Sequence, residues 1–93
     1  MNIVLEVTDR NGKIIYLAQE RWTHIQQSHP EIDLREIEKT IMFPSAVIPS
    51  DRDKEVKWFL KHDKELGKYL FVSVKYLNGN GFVITSHYMD NIP

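Results

Sequence analysis

The residues best suited to chemistry fall in two dense stretches. ERWTHIQQSHPEI, residues 20–32, holds two of the chain's four histidines with a tryptophan and a proline. Histidine is the one side chain whose ordinary pKa lies near neutrality. His24 has Arg21 one turn before it on the polar side of a helix. An imidazole beside a guanidinium suits a phosphate: one moves a proton, the other holds charge. The plainer alternative for His24 is a solvated surface histidine. His29 shares the apolar side with Trp22 and Ile25 and precedes Pro30. That position predicts a half-buried histidine satisfying the last carbonyls of the helix. The second stretch, ITSHYM (84–89), sets Thr85, Ser86, His87 and Tyr88 in a row near the end of a strand. Hydroxyls and an imidazole so placed can hold a phosphate and donate protons.

Metal chemistry finds little support. His24 and His29 point about 140° apart on a helix, too far for one ion. Cysteine is absent, and no HExxH motif or dense carboxylate cluster occurs. The expectation is a site with no metal and no cofactor.

These residues must be positioned by elements that the pattern of side chains marks out. NIVLEVTD (2–9) and KIIYL (13–17) read as strands joined by the turn DRNG (9–12), an N-terminal hairpin. AQERWTHIQQSH (18–29) reads as a helix stopped by Pro30. DLREIEKTIMF (33–43) is a second helix, with Asp33 and Glu36 as a capping box and Leu34, Ile37, Ile41 and Met42 as its buried stripe. SAVIP (45–49), EVKWFLKH (55–62), KYLFVSVKYL (68–77) and FVITSHYM (82–89) follow as strands, with NGNG (78–81) a strong hairpin signal. The fold class is therefore α+β, an antiparallel sheet with the two helices packed on one face. Connections this short argue against parallel pairing.

The last hairpin decides which side chains share a face. If its turn sets Leu77 opposite Phe82, then Lys75 faces Ile84 and Ser73 faces Ser86. Lys75, Ser73, Ser86 and Tyr88 then lie on the face away from the helices, with Phe71 and also Phe59, Lys57 and Lys61. A three-residue loop swaps the parity and exposes Thr85 and His87 instead. Cations interleaved with aromatics on an open sheet suit single-stranded nucleic acid. An ordinary amphipathic sheet with snorkelling lysines is the simpler alternative.

Composition sets bounds. The 93 residues make one domain, with a core but no deep enclosed cavity. No apolar run is long enough for a bilayer and no basic-then-apolar signal segment is present, so no membrane partner is expected. The lack of cysteine fits a reducing cytoplasm. Twelve basic and thirteen acidic residues give a net charge of −1, so nucleic-acid binding would need a local patch.

ERWTHIQQSHPEI, IEKTIMFPSAVIPS, VKWFLKH and KYLFVSVKYLNGNGFVITSHYM together resemble the small phage and prokaryotic nuclease-like domains of the barnase–EndoU–colicin–RelE group, from about Tyr16 to Met89. Trp22, His24, Ile25, His29, Pro30 and Glu31 match the helical motif, Pro44 the mid-chain proline, and Val83, Ile84 and Thr85 the final strand. The resemblance implies a metal-independent ribonuclease fold, two helices on an antiparallel sheet, and often a toxin with a neutralising partner protein.

The leading expectation is an endoribonuclease acting on single-stranded RNA. His24 would be base or acid, Lys75 or Arg21 would hold the phosphate, and Tyr88 or Thr85 would bind it or donate a proton. Ser73, Ser86 and His87 would complete the RNA-binding surface. The competing expectation is a non-catalytic protein-interaction module. Near-neutral charge favours the module, and the clustered His, Thr and Tyr favour the nuclease.

Overall fold

A computed structural model describes residues 1–93. Strands β1 (Ile3–Thr8) and β2 (Ile14–Ala18) form the N-terminal hairpin. Helices α1 (Gln19–Ser28) and α2 (Leu34–Met42) follow, then β3 (Ala46–Pro49), β4 (Val56–Asp63), β5 (Lys68–Leu77) and β6 (Asn80–Met89). The six strands form one sheet in the order β1-β2-β6-β5-β4-β3.

The sheet is mixed, which corrects the antiparallel expectation. β6 pairs with β2 in parallel, Ile15 with Gly81 and Tyr16 with Phe82, while every other pairing is antiparallel. Short links between neighbours in sequence do forbid parallel pairing, but β2 and β6 are joined through both helices and the whole meander. That is ample chain for a crossover. Gly81 sits at the join because a Cβ there would stand 2.8 Å from Ile15 Cγ1 and 2.9 Å from Val74 Cγ1.

Each helix end has a local cause. β2 runs directly into α1 at Ala18, which offers no side-chain cap. α1 stops at His29, whose backbone N–H donates to the Ile25 carbonyl, and Pro30 cannot extend it. Asp33 caps α2 by accepting from the Arg35 N–H at 2.8 Å. Only half of the expected capping box forms, since the Glu36 carboxylate turns to Lys39 at 3.6 Å. Ile37 and Ile41 are fully buried and Leu34 is partly so. Met42 leaves the expected stripe for solvent, and Thr40 is buried in its place, donating to the Glu36 carbonyl at 2.8 Å.

Both helices pack on one face of the sheet. Ile25, Ile37 and Ile41 meet Ile15, Leu17, Phe59, Leu70, Val72, Val74 and Val83 in a single core. Phe59 lies opposite Val72, with Lys57 opposite Val74 and Lys61 opposite Leu70. Phe59, Lys57 and Lys61 therefore belong to the helix side, not to the open face expected from the sequence. Val56, Trp58 and Leu60 take the other face.

The β5–β6 hairpin departs from the expected register in two steps. Its turn is Asn78-Gly79 alone, with φ of 55° and 86°, so Leu77 pairs with Asn80 and Lys75 with Phe82. Two positive φ values make the tight turn whose twist matches the strands. A bulge then follows: Val74 pairs with Val83 but Ser73 pairs with Thr85, leaving Ile84 as the extra residue. From there on the parity is reversed. Thr85 and His87 join Ser73 and Phe71 on the face away from the helices, while Ser86 and Tyr88 turn to the helix side.

Candidate functional site

A chain of rings crosses the face opposite the helices. Trp58 on β4 lies 5.7 Å from Phe71 on β5, and Phe71 is stacked on His87 of β6 at 4.7 Å and 24°. His87 in turn lies 5.9 Å from His29. The backbone explains the last contact. β6 pairs with β2 only through Gly81 and Phe82, so its later residues have no strand beyond them. α1 packs there instead, and its last turn delivers His29 to the edge beside His87. The His29 side chain is 37% exposed and its Nδ1 stands 3.8 Å from the Glu31 carboxylate. Its backbone, not its ring, satisfies the helix carbonyl. His87 is half-buried, with Nδ1 3.4 Å from the Tyr88 carbonyl oxygen.

The residues singled out from the sequence are dispersed. His24 is exposed on the outer side of α1, where it lines a shallow depression with Ala18, Glu20 and Arg21. Lys75 reaches the open face but is held by Asp53 at 3.0 Å, with Glu55 at 4.0 Å. Asp53's carboxyl is held below its usual value, first by the Glu55 N–H and then by Lys75. Lys75 is pushed up by its bond to Asp53. Its charge is thus shared with two carboxylates before any phosphate arrives.

Ser86 is wholly buried and donates to the Phe71 carbonyl at 2.8 Å, so it joins strands and is shut off from any ligand. Ser73 is 6% exposed, beneath its neighbours on the open face. Thr85, opposite it, is half-buried. Tyr88 faces the helices and packs against the core. It lines a cavity of about 300 Å³ with Glu36, Lys39, Thr40, Lys61 and Asp63 among others. Burial raises its hydroxyl pKa, and the carboxylates of Asp63, Glu36, Glu31 and Asp33 raise it further. Three lysines, Lys39, Lys61 and Lys64, and three carboxylates, Glu36, Asp63 and Glu65, line that cavity, so its formal charges balance. Thr85 and Tyr88 lie on opposite faces, so the sheet stands between them.

Of the residues named from the sequence, the structure sets Thr85 and His87 on one face, about 7 Å apart along the strand, and adds His29, to which the sequence gave a structural role. A sequence signal for His29 did exist. Pro30 bars its residue from the helical conformation, which lets the side chain leave the helix face. Two neighbouring imidazoles can act as an acid–base couple, and the exposed part of Trp58 offers a ring face nearby. No group of three or more His, Asp or Glu side chains is arranged to hold a metal ion. No helix is long and apolar enough to cross a membrane. No family model, no curated protein and no solved structure matches this chain.

Proposed function

We propose that the protein is a metal-independent endoribonuclease of single-stranded RNA, with His29 and His87 as its acid–base pair. The observation that carries this reading is the 5.9 Å approach of the two imidazoles at the end of the ring chain. Each ring nitrogen reaches about 3 Å to a hydrogen-bond partner, so one phosphodiester over the pair is within reach of both. One imidazole takes the proton of the ribose 2′-OH as that oxygen attacks phosphorus. The P–O5′ bond breaks, and the other imidazolium gives its proton to the departing 5′-oxygen. The products are a 2′,3′-cyclic phosphate and a 5′-hydroxyl. Thr85 binds a non-bridging oxygen, and Trp58 stacks a neighbouring base. The cytoplasm is where such an activity meets its RNA, and a neutralising protein partner is part of the proposal.

A second reading is a non-catalytic protein-interaction module. It is favoured by the capture of Lys75 by Asp53 and Glu55, which leaves the open face with little positive charge for RNA. The test is incubation of the purified protein with mixed RNA in EDTA, with the ends mapped. We expect cleavage with cyclic-phosphate ends, lowered at least about 100-fold in His29→Ala and His87→Ala. Loss of activity in His24→Ala with both other variants active would refute the pairing. No cleavage by the unaltered protein would favour the interaction module.

A further inference from the structure

Far from the histidine pair, the sheet carries a cluster of excess positive charge. Lys13 Nζ and Lys57 Nζ stand 5.5 and 5.6 Å from the centroid of one ring, that of Tyr76. Arg10 and Lys57 line a small cavity of about 140 Å³ floored by Tyr76 and Phe59. The five ion pairs of the molecule include none of these three cations. The one carboxylate lining that cavity is Asp9, whose single negative charge leaves the three cations in excess, and its oxygens are held by neutral donors. It accepts from the Asn11 and Lys13 N–H groups, both at 2.9 Å, and from the Tyr76 hydroxyl at 2.8 Å. Asp9 is only 7% exposed, so it fixes the turn and the ring rather than reaching for a lysine.

Bringing like charges to one ring costs free energy unless an anion offsets it. The ring attracts each cation only weakly at a partly exposed site. On a chain whose net charge is −1, a local excess of this kind is not an average property of the surface. We infer that the cluster of Arg10, Lys13 and Lys57 around Tyr76 is a phosphate-binding site. Arg10 and Lys57 grip the phosphate at the mouth of the cavity, and Lys13 adds its charge from the same ring. A guanidinium and ammonium groups are the donors that match phosphate oxygens.

The site is separate from the proposed catalytic one. Tyr76 lies five residues beyond Phe71 on β5, roughly 17 Å along the strand, and points to the opposite face. The inference therefore stands whether or not the protein cleaves RNA. The phosphate could come from a small phosphoester or from a nucleic-acid backbone, and the chemistry at the site is shared.

The experiment is an NMR titration at low salt, following the amide groups of Gly12, Lys13, Lys57 and Tyr76. Two probes are used in turn: inorganic pyrophosphate, and a 2′-O-methyl RNA decamer whose 2′-oxygen cannot attack. We expect saturable shifts confined to these residues with at least one probe. The affinity should fall at least about tenfold in a Lys13→Gln, Lys57→Gln double variant whose melting temperature is little changed. Response to pyrophosphate alone identifies a small phosphoester as the ligand; response to the decamer at lower concentration identifies backbone phosphate. Equal affinity in the double variant, no saturable shift with either probe, or the same shifts from chloride at matched ionic strength would overturn the inference. His29→Ala and His87→Ala should leave these shifts in place, which separates this site from the ribonuclease proposal.

Discussion

Replacing Tyr76 with Phe removes one hydroxyl and tests how the N-terminal turn is tied to the far end of the meander. The Tyr76 hydroxyl donates to Asp9 at 2.8 Å, across 67 residues of chain. A hydrogen bond to an ionised group is worth about 1.5–3 kcal/mol. Tyr76 is only half-buried and Asp9 keeps its two backbone donors, so the lower end applies, roughly 1.5–2 kcal/mol. For a domain of this size each kcal/mol shifts the midpoint by about 4–8 °C, giving a fall of roughly 6–16 °C at neutral pH. The loss should also carry a pH signature. Burial, and then the bond to Asp9, raise the phenol's pKa well above its usual value of 10.0. The unfolded chain releases that proton near pH 10 while the folded chain keeps it. The contribution is therefore full below about pH 10 and is lost as pH rises toward the folded value. Urea melts of both proteins between pH 7 and 11 should show a gap that is constant to about pH 9 and narrows beyond it. A variant within about 0.5 kcal/mol of the unaltered protein at pH 7 would refute the argument, as would a gap that stays constant to pH 11.

Two further perturbations probe the sheet. Gly81→Ala places a methyl against Ile15 Cγ1 and Val74 Cγ1 where β2 meets β6, and should destabilise by about 1–3 kcal/mol in a urea melt. Lys75→Gln should let the Asp53 carboxyl rise toward, but not to, its ordinary 3.8 in a carbon-detected NMR titration, because the Glu55 N–H, the larger cause of the shift, remains.

What the sequence made legible were the features with local causes. Alternation placed Trp58 and Phe59 on opposite faces of β4, and Pro30 stopped α1 at His29. Asp33 marked the start of α2, and the spacing of Trp22 and Ile25 marked the side of α1 that packs. What stayed hidden depends on partners distant in the chain. The pairing of β2 with β6 has no signature in either strand, and Gly81 reveals its purpose only when Ile15 and Val74 are seen around it. The register of β6 was hidden for another reason. VITSHYM alternates no worse with Ile84 as a bulge than without one, since both Ile and Thr suit either face of a strand. The ion pair of Lys75 was equally unreadable, because Asp53 lies in the turn before β4, 22 residues away.

The bulge at Ile84 ties these threads to the site. A β-bulge adds one residue to one strand and re-aims every side chain beyond it. Without it, the two-residue turn at Asn78-Gly79 would carry the pairing of Lys75 with Phe82 forward unbroken, setting Ser86 opposite Phe71. His87 would then point among the core residues beneath the helices, where an imidazole would need a buried partner. Ser86, which now joins β6 to the Phe71 carbonyl, would lie on the open face. The extra residue sends Ser86 inward to a partner that satisfies it, and His87 outward to stack on Phe71 and meet His29. The two histidines thus approach for two independent reasons: Pro30 releases one from its helix, and Ile84 turns the other to the opposite face. Neither cause alone brings the rings together. The pair depends on the long-range fold as well as on the two motifs in which the histidines sit.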